Sequence, residues 1–210
     1  MPKIAKPVAL ADASVRTRRA YFDCRFGQLH VRTAFPTTGG FDEQVTLFCL
    51  HSVEGSSRMF NRFLPLIGAE RSVYAPDLPG CGESDPPQPA GGLANLAGAV
   101  ADLASDLRLK QIDVLGFRAG CGVAVELARA KPELVRRLVL VGVAPTDRLP
   151  QIAQPTLVMA IGARASGADA SSLGLSANAE LLDGADYAED LFDAAPQTLA
   201  KQFAGFLNRR

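Results

Sequence analysis

The sequence predicts an α/β fold: a mostly parallel, doubly wound sheet that follows an opening antiparallel hairpin. Three observations predict it. Apolar strand-like runs alternate with segments of helical spacing after the hairpin. Residues 112–130 read as strand, glycine-rich turn and helix, and residues 138–143 are an apolar, β-branched run typical of a strand buried on both faces.

Length and composition favour one globular domain. The 210 residues are 48% hydrophobic, which is enough to bury one sizeable core. Lysine plus arginine and aspartate plus glutamate both total 22, so there is no net field to attract nucleic acid or an anionic membrane. The apolar runs fall short of the ~20 residues that a membrane span needs. We therefore expect neither nucleic acid nor membrane as a partner.

The N-terminal segment and the cysteines indicate the domain boundary and the compartment. Residues 1–19 lack the continuous apolar core of a signal peptide, so we expect a flexible arm there and a single domain over residues 20–210. The four cysteines have neither a C-x-x-C pair nor metal-ligand spacing. They read as structural thiols, so the sequence predicts a cytoplasmic protein with no metal site and no cofactor.

Hydrophobic periodicity places the elements in order. The hairpin strands are separated by Gly27-Gln28, and the predicted strands cover residues 21–26, 29–35, 45–50, 72–75, 112–115, 138–143, 155–161 and 179–182. Apolar side chains at three- and four-residue steps predict helices over residues 56–68, 93–107, 121–130 and 196–207. Residues 165–179, rich in Ala, Ser and Gly, are expected as a loop or a short helix.

The most informative motif is Gly116-Phe117-Arg118-Ala119-Gly120, between a predicted strand and a predicted helix. Strand, Gly-x-nucleophile-x-Gly turn and helix form a nucleophile elbow, whose strained turn raises the central side chain above the sheet. Ser, Cys or Asp normally holds the central position, where this chain has Arg118. A guanidinium keeps its charge near neutral pH and cannot attack a carbonyl. The sequence predicts a catalytic scaffold without its reacting atom.

From about residue 21 onwards, the chain resembles the α/β-hydrolase fold family. Four segments in the family's order carry the resemblance: the hairpin at 26–32, the His51 oxyanion loop at 50–57, the D-x-x-G-x-G-x-S-D turn within 74–85, and the elbow region at 114–144. The resemblance implies a structural role for His51 in the oxyanion loop. Asp77 and Ser84 match turn-forming residues, and His30 reads as structural. The family's enzymes use a nucleophile, an acid and a histidine in that chain order.

The positions that would carry this chemistry depart from the family. Arg118 replaces the nucleophile, residues 162–165 offer no acid, and Asp169 lies several residues further on. Glu189 stands where the histidine aligns, and the only two histidines, His30 and His51, both precede the elbow. We therefore predict that the chain has no catalytic triad.

The resemblance also implies a missing lid. Family members commonly insert a helical lid between the strands predicted to end near residue 143 and to begin near residue 155, but only residues 144–154 lie between them here. A lid normally covers the apolar rim of the pocket. We expect a homodimer or a protein partner on this face, because a contiguous apolar patch otherwise stays exposed.

The roles of Arg118, Glu189 and His51 stay open at this point. Arg118, with the amides of Val53 and Ala119, can capture a small anionic ligand at a helix N-terminus, or it can plug an obsolete pocket or lie in solvent. Glu189 is either a ligand or proton-transfer group, or a partner for Arg118. His51 is a candidate general base of a rebuilt site if it is not purely structural.

Three functions are compatible with this pattern. The first is a hydrolytically inactive protein that acts by binding or self-association, and the second is an enzyme of altered chemistry on a small anionic substrate. The third is a hydrolase by descent with little or no turnover. The joint loss of nucleophile, acid and histidine favours the first.

Overall fold

An eight-stranded sheet runs through the computed structural model, which describes residues 15–37, 44–88, 91–142, 152–161, 177–184 and 186–209. The strand order is β1-β2-β4-β3-β5-β6-β7-β8. The strands are β1 (Val15–Cys24), β2 (Gly27–Pro36), β3 (Leu47–Leu50), β4 (Val73–Pro76), β5 (Ile112–Phe117), β6 (Val135–Val141), β7 (Thr156–Ile161) and β8 (Ala179–Gly184). Strand β2 pairs antiparallel with β1 and with β4, and the remaining pairs are parallel. The predicted fold class is confirmed.

Helices cover both faces of the sheet, which explains why β5 and β7 are buried along their whole length. The helices are α1 (Leu64–Ile67), α2 (Leu93–Asp106), α3 (Ala119–Ala130), α4 (Leu191–Ala194) and α5 (Pro196–Leu207), with a 3₁₀ turn at Ser57–Phe60. One core lies between the sheet and α2 and α3, and the other between the sheet and the 3₁₀ turn, α1, α4 and α5. None of the helices in the described part of the chain is long and apolar enough to cross a membrane.

The predicted position of the hairpin turn is wrong. The turn is Arg25-Phe26, and Gly27 already opens β2 with a φ of 112°. A Cβ at Gly27 would lie 2.3 Å from Oδ2 of Asp85. That oxygen accepts a hydrogen bond from the backbone N–H of Gln28 at 2.8 Å. The glycine therefore allows a carboxylate to approach the strand, rather than forming the turn.

Two other predicted boundaries need correction. Strand β1 begins at Val15, inside the predicted arm of residues 1–19, because residues 15–19 pair with residues 32–36 of β2. The helix predicted over residues 56–68 is split into the 3₁₀ turn and α1. Pro65, at the start of α1, has no N–H to continue a helix from the preceding turn. Residues 1–14, and most of the 144–154 connection and of the 165–179 stretch, lie outside the described residues.

A buried ion cluster holds the end of α5 against the amino end of β5. The Asp113 carboxylate accepts hydrogen bonds from Arg71 at 3.2 Å and from Arg136 at 2.6 and 2.9 Å. Arg136 and Arg137 also donate to the carbonyl oxygen of Leu207. Burial raises the pKa of the Asp113 carboxyl, against the opposing effect of Arg136 and Arg71. The cluster thus provides hydrogen bonds to the carbonyl of Leu207 at the end of α5. It lies at the amino end of β5, whereas the elbow lies at the carboxyl end.

Candidate functional site

The turn between β5 and α3 keeps the strained geometry of an elbow. Arg118 has φ 51° and ψ −115°, a conformation that costs a non-glycine residue of order 1–3 kcal/mol. Its backbone N–H donates to the carbonyl of Val141 at 2.8 Å, and its own carbonyl accepts from the N–H of Cys121 at 2.9 Å. These contacts fix the turn between two neighbouring strands and the helix. The side chain of Arg118 therefore stands at the carboxyl edge of the sheet.

Both glycines of the elbow are required by close packing. A Cβ on Gly120 would lie 2.3 Å from the carbonyl oxygen of Leu50 and 2.6 Å from that of His51. A Cβ on Gly116 would lie 2.7 Å from the Cα of Cys121. Real Cβ atoms do not approach backbone atoms this closely, so side chains at either position would force the turn apart. The two glycines of the motif are therefore sterically required by the turn.

His51 has a structural role in the loop after β3. Its Nδ1 donates to the carbonyl of Ser52 at 2.5 Å, and its Nε2 accepts the N–H of Leu78 at 2.8 Å. Both ring nitrogens are occupied, and burial lowers the pKa of the imidazole. A neutral, buried ring with both nitrogens occupied has no free position to accept a substrate proton, so the geometry argues against the general-base interpretation.

Asp77 and Ser84 bind local backbone, as predicted, and His30 is structural. The carboxylate of Asp77 accepts hydrogen bonds from the N–H groups of Ser57 and Glu83 and from Nδ1 of His30. Burial alone would raise the pKa of Asp77, but these hydrogen bonds hold it below its usual range. Ser84 accepts from the N–H of His30 and donates to the carbonyl of Asp77. Both histidines of the chain are thus buried, His51 in the loop after β3 and His30 in the hairpin, where its Nδ1 is bound to Asp77.

Aromatic packing brings the loop after β8 to the elbow. Phe192 of α4 lies 4.8 Å from Phe60, 5.2 Å from Phe63 and 5.6 Å from Phe117, in edge-to-face arrangements between ring centroids. Phe117 immediately precedes Arg118, and Phe192 follows Glu189 by one short turn. This anchor was missed in the sequence because α4 is too short to leave a periodic pattern.

Arg118 and Glu189 meet at this point. Nη2 of Arg118 donates to Oε1 of Glu189, so the structure confirms that the two positions come together as an ion pair. The Arg118 side chain is 35% exposed, but that of Glu189 is 71% exposed. Removal of either partner therefore does not leave a buried charge unpaired, because water reaches Glu189. The pair is a surface ion pair, which is worth about 0–1 kcal/mol.

Arg118 is flanked in the chain by the aromatic ring of Phe117 and by the first N–H of α3. Its Cζ lies 5.9 Å from the centroid of the Phe117 ring, and its Nε is buried without a hydrogen-bond partner among the described residues. The N–H of Ala119 is the first of α3 and has no intrahelical acceptor. Val53, in the loop that follows His51, is 43% exposed. These five candidate positions, His51, Val53, Arg118, Ala119 and Glu189, thus divide into one buried structural residue and four at the surface.

The structure describes Cys121 but not the predicted position of the triad acid. Cys121 is buried, its thiol donates to the carbonyls of Gly116 and Val141, and burial raises its pKa to about 12. It is therefore not a thiolate nucleophile. Residues 162–165 and Asp169 lie outside the described residues.

Comparison with known proteins agrees with the observed fold. Residues 45–178 match the model of the α/β-hydrolase fold family. Over 85 residues the chain is 39% identical to the 2-hydroxy-6-oxononadienedioate/2-hydroxy-6-oxononatrienedioate hydrolase of Cupriavidus pinatubonensis, a match that covers 40% of this chain and 29% of that protein. The chain spans between 28% and 35% of the length of the curated relatives it matches.

Solved structures resemble the chain over almost its whole length. Carboxylesterase CesB from Bacillus subtilis superposes with a TM-score of 0.74 at 17% identity, covering 92% of each chain. The naproxen esterase of the same organism superposes with a TM-score of 0.75, also at 17% identity and 92% of each chain. At this identity the likeness shows the fold alone.

The packing of Gly120 generates a stability prediction. Gly120→Ala is expected to lower the free energy of unfolding by about 1–3 kcal/mol, because its Cβ overlaps two backbone carbonyls. Gly205→Ala is the matched control: this helical glycine has open space around its Cβ, so the substitution is expected to stabilise by about 0.5–1 kcal/mol. Urea unfolding measures both. Equal effects of the two substitutions would contradict the close approach of the elbow to the loop after β3.

The ion pair at the elbow generates a second prediction. A double-mutant cycle of Arg118→Met and Glu189→Gln is expected to give a coupling energy below about 1 kcal/mol that falls as salt is added. The control pairs Arg118→Met with Asp193→Asn, an exposed carboxylate of the same segment, and is expected to be additive. Zero coupling at low salt would show that the contact does not persist in solution. Coupling of several kcal/mol would show that the pair is buried.

Proposed function

We propose that this chain, which belongs to the α/β-hydrolase fold family, is a hydrolytically inactive member that acts by binding. The observation that carries the proposal is Arg118 at the centre of an otherwise complete elbow, with its guanidinium paired to Glu189. In the family's chemistry these two positions hold the nucleophile and the base. Here they hold two groups that neutralise each other and transfer no acyl group.

Acyl transfer needs steps that the described groups do not support. The nucleophile must lose a proton to a base and attack a carbonyl, but a guanidinium is protonated and has no nucleophilic lone pair. The base must accept a proton at the elbow, but both nitrogens of His51 are occupied, and His30 is buried in the opening hairpin with Nδ1 bound to Asp77. The sequence has no third histidine. Amides that polarise a carbonyl oxygen would leave only a remnant of normal catalysis.

Exposed apolar side chains near the elbow support binding by self-association. Val53 is 43% exposed and Leu93, at the start of α2, is 38% exposed. Leu93 packs beside Gly122 of α3, whose Cβ would lie 3.3 Å from the leucine methyl groups. Only residues 142–155 separate β6 from β7, so the chain has little room for a lid over these side chains. We propose that a second copy of the chain, or a protein partner, covers them.

A second candidate function is an altered chemistry on a small anionic substrate. Two donors favour it: Nε of Arg118, which is buried and has no partner among the described residues, and the N–H of Ala119, which has no acceptor within α3. Both can donate to an oxyanion. Glu189 is exposed enough to be displaced by such a ligand. The relative from Cupriavidus pinatubonensis is named for a dioate, a molecule with two carboxylates.

Hydrolysis of p-nitrophenyl acetate tests the inactivity. Purified protein is expected to give no saturable rate above that of buffer, and Arg118→Ala is expected to behave identically, because neither protein has a nucleophile at the elbow. An active esterase assayed in parallel confirms the conditions. Saturable turnover that survives Arg118→Ala would contradict the proposal and require a relocated site, whereas turnover abolished by Arg118→Ala would favour the second candidate.

Sedimentation velocity tests the self-association. We expect a concentration-dependent dimer whose dissociation constant rises about tenfold with Leu93→Ser, because a buried leucine side chain contributes about 1.5–3 kcal/mol. Leu181→Ser is the matched control, since Leu181 is 39% exposed but lies on the edge strand β8. A monomer at every concentration, or an equal effect of Leu181→Ser, would contradict an interface over the elbow face.

A further inference from the structure

A cavity of about 360 Å³ lies beside the opening hairpin, and three arginines, Arg18, Arg19 and Arg32, are among the residues that line it. Arg19 of β1 is directly opposite Arg32 of β2 in the antiparallel register, so both project from the same face of the sheet. Ala34, two residues along β2, packs against Gly68 at the end of α1, which identifies this face as the one that α1 covers. The 3₁₀–α1 segment supplies Asn61 to the same cavity.

Arg19 and Arg32 have no counter-charge among the described residues. No carboxylate among the described residues lies within 4.0 Å of the guanidinium of Arg19 or of Arg32. Glu83, which contacts Tyr21 on this face, also binds Arg58. Nε of Arg32 is buried and has no hydrogen-bond partner in the part of the chain that the structure describes. Like charges directly opposite each other on paired strands are destabilising, and a buried donor without a partner adds to that cost.

We infer that this cavity is a binding site for the phosphate group of a small molecule. Two guanidinium forks present parallel N–H donors that match the oxygens of a phosphate, and a dianion neutralises both charges, which a single carboxylate does not. The hydroxyl of Thr17 and the amide of Asn61 supply further neutral donors at the rim. The cavity volume is in the range of sites that hold small ligands, so it accommodates an organic group beyond the phosphate. This site is independent of the elbow and of the function proposed above.

Titration calorimetry with pyrophosphate, at constant ionic strength, tests the inference. Wild-type protein is expected to bind, and Arg19→Gln and Arg32→Gln are each expected to weaken binding about tenfold or more, as for loss of a charged hydrogen bond. Arg32→Lys keeps the charge but loses the paired N–H donors of the guanidinium. Its affinity for pyrophosphate is expected to lie between that of Arg32→Gln and that of wild type. Arg16→Gln removes the same charge from the opposite face of β1 and is expected to bind as wild type.

Two further measurements separate this site from others. Arg118→Met is expected to bind pyrophosphate normally, so loss of binding in that variant would overturn the assignment to this cavity. Without ligand, the melting temperature of Arg19→Gln is expected to be at least that of wild type, because the substitution relieves repulsion on an exposed edge strand. This variant carries the test if Arg32→Gln does not fold.

Several results would overturn the inference. They are absence of pyrophosphate binding, equal weakening by Arg16→Gln, and binding of succinate as tight as that of pyrophosphate. The last would show that the arginines recognise carboxylates and not phosphate.

Discussion

The close approach of the elbow to the loop after β3 is the constraint on which the site depends. There is no space for a Cβ on Gly120 between the helix and the carbonyls of Leu50 and His51. This contact holds the first turn of α3 against the loop, and the adjacent pairing of Leu50 with Gly116 fixes their register. The chain has to change direction within one residue between β5 and α3. Arg118 therefore adopts the strained backbone conformation. The fold thus determines where residue 118 stands, whatever its side chain.

Scaffold and chemistry are therefore separable in this chain. In an active elbow the strained backbone serves to expose a nucleophile. Here the same strain, of order 1–3 kcal/mol, is maintained for a side chain that cannot react. Packing explains how it persists: the elbow is fixed by glycines, strand hydrogen bonds and the buried Cys121, none of which involves the guanidinium. The aromatic contact between Phe117 and Phe192 likewise brings Glu189 to the elbow without reference to catalysis.

The sequence predicted the parts of the structure that depend on local pattern. Strands β5 and β7 and helices α2 and α5 lie within one or two residues of their predicted bounds, because their apolar periodicity is long and uninterrupted. The contact of Arg118 with Glu189 was also predictable, since the family resemblance aligned both positions with groups that meet. The exposure of Glu189 was not predictable from the sequence, because burial depends on chain segments far away in sequence.

The features that the sequence did not predict arise from long-range contacts. Gly27 resembles a turn residue but is needed for the approach of Asp85, which lies in a different loop. Arginine is usually found at the surface, but Arg71 is fully buried, because Asp113 and Asn208 provide its hydrogen-bond partners. The facing pair of Arg19 and Arg32 becomes visible only when the hairpin register is known, and the register followed from the corrected turn.

The most direct test of the account compares Arg118→Gly with Arg118→Ala in urea unfolding. Both variants lose the guanidinium and its contact with Glu189, so the difference between them isolates the backbone conformation. Glycine adopts a positive φ without strain, whereas alanine retains the penalty. We predict that Arg118→Gly is more stable than Arg118→Ala by about 1 kcal/mol, net of the entropy that glycine adds to the unfolded chain. If Arg118→Ala is as stable as Arg118→Gly or more stable, the elbow is not strained, and the claim that a catalytic scaffold persists around Arg118 is contradicted.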